Sequence, residues 1–188
     1  MNQRIEQHEE THAEILAAAG RLFREEGFEN AGIGKIMRSI GKTVGGFYNH
    51  FDSKNDLFRD VVENTVSFPV EGKHPEKSTA AHRPEEILEM YLSEFHRDNP
   101  SVGCLVPSLS AEIARADDDV RDAYTEFVER MLDKMTKEMP AGDGLTKRQR
   151  AMAFMAMLVG GLLLARAVND PETSVEMLEA SRKAAVQI

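Results

Sequence analysis

At 188 residues, 41% of them hydrophobic, the chain is long enough for one large domain or two small ones around a sizeable core. A net charge of −9 and a pI near 5.2 exclude a surface coated for nonspecific nucleic-acid binding, and a lone cysteine excludes an internal disulfide framework. The opening MNQRIEQHEETH has no apolar stretch of the secretory type, so a reducing cytoplasm is the expected compartment.

Apolar spacing predicts helices almost throughout. Ile15, Leu16, Ala19, Leu22 and Phe23 mark a first helix, with Gly27 placed to end it in a left-handed cap. Ile33, Ile36, Met37 and Ile40 mark a second, short one closed by Gly41. Thr43 is then the expected N-cap of a third short helix with Val44, Phe47 and Phe51 on its apolar face. Asp52 and Ser53 stop that helix. Ser53, with Asp56 three residues on, resembles a capping box and starts a fourth helix through Leu57, Phe58, Val61 and Val62.

Over 67–84 the pattern dissolves into SFPVEGKHPEKSTAAHRP, and a mobile loop between modules is expected. Helical patterns resume over 85–97, 105–116, 118–139 and 146–168, with a last one from Pro171 onward. The longest uncharged run, AMAFMAMLVGGLLLA, is shorter than the roughly 20 residues a membrane span needs. Arg148, Arg150 and Arg166 bracket it, so it reads as a buried helix, with no membrane partner expected. The fold class is all-α. The expected division is a helix-turn-helix module over 1–53 and a larger helical module over 54–188.

Charge is uneven along the chain. Residues 32–54 carry Lys35, Arg38, Lys42 and Lys54 against Asp52 alone, a net of +3 that leaves −12 for the rest. Within this basic stretch lies GKTVGGFYNHFDSK, whose Gly45 and Gly46 each cost about 1 kcal/mol relative to alanine in a helix interior. Two short helices joined by a glycine turn make a helix-turn-helix, whose second helix enters the major groove. Side chains at 45 and 46 would be in the way there, which accounts for both glycines.

Two other motifs suggest enzymes. HEETH, residues 8–12, matches the zinc-protease pattern H-E-x-x-H, with His8 and His12 one turn apart and Glu9 as base. It sits at an expected frayed end, and Ile15 and Ala18 stand where an extended zinc motif needs Gly and His, so neither a metal nor catalysis is expected. HRD at 96–98 echoes a kinase catalytic loop, but Gly103 stands at the required Asn and no Gly-rich loop accompanies it.

The stretch ILAAAGRLFREEGFENAGIGKIMRSIGKTVGGFYNHFDSKNDLF resembles the DNA-binding domain of the tetracycline-repressor (TetR/AcrR) family of bacterial regulators. The "LF…GF" signature, the helix-turn-helix and the FYxHFxSKxxL block follow one another in the family's order. The GGFY form and YLSEFHRDNPSVGCLVPSLSAEIARAD look like one subset of it. The resemblance implies a homodimeric repressor on a palindromic double-stranded DNA operator, released by a small-molecule effector, with no cofactor. It implies phosphate contacts from Thr43, Tyr48, Asn49, His50 and Lys54, and base contacts from Val44, Gly45 and Gly46. Lys35 departs from the family pattern; its charge in a first helical turn opposes the helix dipole, which a nearby phosphate would offset. The resemblance also places dimerisation in the last two long helices, where the expected residues are Met152, Met155, Val159, Gly160, Leu163 and Met177.

For the effector, Tyr91, Phe95, Cys104, Phe127, Met131 and Met155 are the candidates, although spacing alone marks them only as core. Cys104 follows Gly103 at an expected helix start, where its thiol either senses oxidants or is buried and inert. The alternatives to a regulator are a helical protein–protein adaptor without specific DNA binding and a zinc hydrolase built on HEETH.

Overall fold

The computed structural model describes residues 2–65, 84–142 and 144–188, with side chains from residue 5 in the first segment and 86 in the second. The loop expected over 67–84 therefore lies, up to residue 83, outside the described residues. These residues form ten α-helices and no strand. They are α1 (Asn2–Glu26), α2 (Ile33–Ser39), α3 (Val44–Phe47), α4 (Lys54–Glu63), α5 (Pro84–Tyr91), α6 (Glu94–Asp98), α7 (Leu105–Ile113), α8 (Asp118–Glu138), α9 (Lys147–Ala167) and α10 (Pro171–Ala185), with a 3-10 turn at Pro100–Val102. The chain divides into two compact units. One comprises the residues up to Thr65 together with Ser108–Phe127; the other takes the rest.

In the first unit α1 supplies the long wall. Its N–H at Gly27 returns to the Phe23 carbonyl at 2.9 Å, and Gly27 adopts φ 84, the left-handed conformation expected of a glycine cap. Ile15, Ala18, Ala19 and Phe23 are buried against Ile36 and Met37 of α2 and Leu57, Phe58, Val61 and Val62 of α4. Phe23 meets Phe58 edge to face at 5.3 Å, and Phe58 stacks on Phe28 at 4.5 Å. Gly41, at φ 69, turns the chain from α2 toward α3. Ser53 caps α4 as expected, its Oγ accepting the Asp56 N–H at 3.0 Å.

Three expectations need correction here. The HEETH segment is not frayed: α1 is helical from Asn2, and both histidines pack on residues beyond α3. Thr43 occupies the N-cap position of α3 but its side chain makes no capping bond, and α3 closes after one turn at Phe47. Val44 does not anchor that turn, being 44% exposed; Phe47 and Phe51 carry the anchoring alone.

In the second unit, the pattern over 85–97 is two helices. Ser93 interrupts it by donating to the Met90 carbonyl at 2.8 Å and accepting the His96 N–H at 3.1 Å, which starts α6 afresh. α9 is the central element, packed against α10 and also meeting α5 and α6. Thr146 and Gln149 form a reciprocal capping box at its start. By length and composition α9 could cross a membrane. Its Ala151, Phe154, Leu158, Leu162 and Ala165 are instead buried in the unit, and Arg166 near its end donates to the carbonyls of His96 and Arg97 at 2.6 and 3.0 Å.

The paired glycines of α9 separate in role. A Cβ on Gly161 would stand 2.3 Å from Ser181 Oγ and 2.7 Å from Ser181 Cβ, so this glycine permits the close approach of α10. A Cβ on Gly160 would meet nothing within 4 Å. Gly161→Ala should therefore destabilise the protein by about 1–3 kcal/mol through overpacking. Gly160→Ala should be neutral or stabilising by up to about 1 kcal/mol from helix propensity. Urea titration followed by circular dichroism measures both.

Candidate nucleic-acid interface

α3 is four residues long, and its presentation depends on its surroundings. Phe47 and Phe51 are buried and stack at 5.6 Å, which fixes the inner side of the segment. Its outer side displays Thr43, Val44, Gly45, Tyr48 and Asn49, all exposed, with Tyr48 at 59%. A Cβ on Gly45 would meet nothing within 4 Å, so no contact within the described residues demands a glycine there. Gly46 is half-buried, and a Cβ on it would make ordinary contact with Met37 and Thr43 at 3.8 Å.

The three lysines around α3 are already engaged. Lys35 reaches both Glu26 carboxylate oxygens at 2.5 and 2.6 Å, so its charge at the start of α2 is offset by α1 rather than left for a phosphate. Lys42 donates to Thr11 at 3.1 Å and pairs with Glu14 at 3.3 Å. Lys54 is turned back over the Phe28 ring, 4.3 Å from its centre, and donates to the Glu29 carbonyl at 3.3 Å. That partial burial lowers the Lys54 pKa, an effect the Glu29 and Glu112 carboxylates oppose. The lysine expected to meet DNA from the start of α4 is thus folded inward.

His50, half-buried, lies tilted against His8 at 4.2 Å, with the His12 ring at 6.0 Å, and His12 itself stacks on Phe51 at 4.5 Å. His8 Nε2 donates to the Asn49 carbonyl at 3.2 Å. These contacts escaped the sequence pattern, although its signal was present: 8, 12, 15, 19 and 23 continue one helical stripe. Glu112 was also missed. Its carboxylate accepts the Phe28 N–H at 2.8 Å and lies where a Cβ on Gly27 would stand, fastening the turn that leads into α2.

Residues 15–61 match the family model described as bacterial regulatory proteins, tetR family, a span that runs from the buried part of α1 through α4. The chain is 25% identical over 181 residues to an HTH-type transcriptional regulator in the lacX 3' region of Lactococcus lactis subsp. lactis, covering 91% of this chain and 92% of that one. It is 25% identical to the HTH-type regulator LmrA of Bacillus subtilis (strain 168), covering 82% of this chain and 86% of LmrA. The fold matches the crystal structure of a TetR-family transcriptional regulator from Agrobacterium tumefaciens with TM-score 0.69 at 22% identity, over 94% of this chain and 98% of that one. Residues 15–61 thus carry the DNA-binding domain of the TetR family. The chain is a DNA-binding transcriptional regulator, and its relatives are named as regulators.

Within this regulator the effector candidates scatter. Tyr91, Cys104, Phe127 and Met131 are buried and Met155 is half-buried, whereas Phe95 is 47% exposed. Phe127 falls in the first unit and the other five in the second. A cleft of about 270 Å³ in the second unit is bounded by Arg97, Asp98, Arg166, Asp170 and Ser174 and by none of the six. On α9, Met152 and Leu163 are exposed and Met155, Val159 and Gly160 half-buried; Met177 of α10 is half-buried too.

Tyr91 and Cys104 instead frame a buried histidine. His96 donates from Nδ1 to the Tyr91 carbonyl at 2.8 Å and accepts the Cys104 N–H at Nε2 at 2.9 Å, so the neutral ring is fully satisfied. Gly103 allows the strand of chain to pass this close, since a Cβ there would stand 2.6 Å from the ring. Burial pushes the His96 pKa down to about 4, the Tyr91 carbonyl opposes that shift, and Arg166 adds to it. A depressed histidine contributes stability that is complete above its unfolded value of 6.5 and is lost as pH falls toward 4. The contribution is on the order of 3 kcal/mol. Urea midpoints should fall over that interval in the wild type, and His96→Gln should flatten the decline while lowering stability at neutral pH.

Proposed function

We propose that this regulator is a cytoplasmic homodimeric repressor in which α3 of each subunit enters the major groove of a palindromic operator and a small molecule releases it. The observation that carries this reading is the outer side of α3: exposed Thr43, Val44, Tyr48 and Asn49 around an open Gly45, on a turn locked from beneath by Phe47 and Phe51. Hydroxyl and amide groups suit phosphate oxygens, Val44 suits a thymine methyl, and the open space at Gly45 allows backbone to approach the base edges. His50, at the end of the turn, is the remaining phosphate partner on this side, and half-buried Gly46 sets the depth of approach.

Lys35 and Lys42 reach phosphate in this reading by exchanging the Glu26 and Glu14 carboxylates for it. Lys54 contributes by leaving Phe28, at the expense of its cation–π contact. The module division assigns residues 1–53 to DNA and 54–188 to effector and dimer, with Met152, Met155, Val159, Gly160, Leu163 and Met177 forming the seam between subunits. The two-sidedness of α9 supports that seam: it is buried along Phe154, Leu158 and Leu162 yet leaves Met152, Leu163 and Leu164 exposed. A transcriptional regulator from Saccharomonospora viridis, 20% identical at TM-score 0.69 over 93% of this chain and 95% of that one, was crystallised in complex with choline. For the present chain the effector is proposed only as a small molecule taken up by the 54–188 module, where Tyr91, Cys104, Met131 and Met155 supply buried or half-buried apolar surface.

Fluorescence anisotropy on duplex DNA from upstream of the protein's own gene, against excess random competitor, tests this. Selective, salt-sensitive binding is expected, with Gly45→Val and Tyr48→Ala each weakening it by about tenfold or more. Glu26→Gln should tighten binding about two- to fivefold by releasing Lys35. Equal affinity for operator and competitor would reject the reading.

A further inference from the structure

We propose that His8 and His12 form a clamp by which the amino-terminal end of α1 positions the Tyr48–His50 turn for DNA, and that this clamp opens on acidification. The proposal rests on α3 as the reading element and adds to it the residues that hold the far end of that element.

The need for a clamp follows from the length of α3. Four helical residues, two of them glycine, supply almost no helix stability of their own, and after Phe47 the chain continues as an irregular turn to Phe51. From inside the unit, Phe47 and Phe51 hold the two ends of this turn. Between them, Tyr48 and Asn49 are exposed and His50 is half-buried. From α1, His8 donates to the Asn49 carbonyl at 3.2 Å and its ring lies tilted against His50 at 4.2 Å. One turn along α1, His12 faces the same ring at 6.0 Å and stacks on Phe51 at 4.5 Å.

The clamp gathers three imidazole rings and a lysine around one turn. The charges facing His50 are His8 and His12 from α1 and Lys42 from the turn before α3, with Glu14 of α1 paired to Lys42. All three that act directly on His50 are cationic when charged. Neutral rings stack without penalty, whereas imidazolium rings at these separations repel one another and Lys42. Desolvation and those neighbours together lower the His50 pKa from 6.5, so the closed arrangement favours the neutral ring. A depressed histidine gives its stabilisation fully above the unfolded value and loses it as pH falls, so the clamp is closed above about pH 6.5 and loosens below it. His50 Nδ1 has no hydrogen-bond partner among the described residues, and so nothing offsets its charging.

The test uses the full-length protein and the His8→Gln/His12→Gln double variant, which removes the two α1 imidazoles that face His50. Operator affinity is measured by anisotropy at about pH 8 and about pH 6, with hydrogen exchange of amides 48–51 in the free protein at the same two pH values. The wild type should lose affinity about fivefold on acidification, the scale of one hydrogen bond and a ring contact. Its 48–51 amides should exchange faster than the intrinsic pH effect allows. The double variant should bind weakly at both pH values, with a thermal midpoint near wild type and a smaller loss on acidification than the wild type shows. Wild-type affinity that rises on acidification, or a variant indistinguishable from wild type in both readouts, overturns the clamp. If the wild type shows no selective DNA binding, the operator reading falls, and the exchange data alone still decide whether the clamp exists.

Discussion

A helix of four residues cannot hold itself together, and much of the first unit exists to hold one in place. Nucleating a helix fixes several dihedral angles for a single hydrogen bond, so α3 must draw its order from tertiary contacts. Burial of Phe47 and Phe51, worth about 2 kcal/mol each, is the main source. That burial needs a wall, which α1 provides over 25 residues, and a fixed entry angle, which the Gly27 cap and the Glu112 bond to Phe28 provide. The glycines at 45 and 46 weaken α3 further, so the unit carries a conformational cost at its reading surface. The packing beneath offsets that cost.

The electrostatics follow a related logic. A chain at −9 approaches a polyanion with a local basic patch, and inside that patch Lys35 and Lys42 are tied to α1 carboxylates. Exposed ion pairs of this kind are weak and screened by salt, so exchanging them for phosphates costs little. What the carboxylates supply is orientation: each holds its lysine against α1. Lys54 carries this furthest, with its ammonium over Phe28 and its pKa depressed by burial.

The features legible in the sequence were those governed by local stereochemistry. Gly27 and Gly41 adopt positive φ where a helix end requires it, and Ser53 caps α4 through the Asp56 amide, because these outcomes depend on a few adjacent residues. Apolar periodicity likewise located Phe47, Phe51 and most of the α9 core. Contacts between distant segments were not legible. The break at Ser93 depends on a serine choosing backbone partners over a continuous helix, which spacing does not record. Val44 was counted as an anchor because it is apolar, yet at the tip of a one-turn helix it has nothing to pack on. The metal pattern of His8 and His12 is set aside in the sequence, but the frayed end expected there is not found; their positions, on the same stripe as Ile15 and Phe23, are the better guide.

The two glycines of α9 show how one dipeptide can serve two surfaces. Residues 160 and 161 lie about 100° apart around the helix, so they cannot face the same neighbour. Gly161 is consumed within the unit, where Ser181 of α10 occupies the space a side chain would need. Gly160 faces open space beside half-buried Val159 and exposed Leu163, where a glycine has no intramolecular benefit and costs helix propensity. The same reasoning applies to Gly45 on α3, where a Cβ would also meet nothing. In both cases a residue that weakens its own helix has no contact among the described residues that requires a glycine.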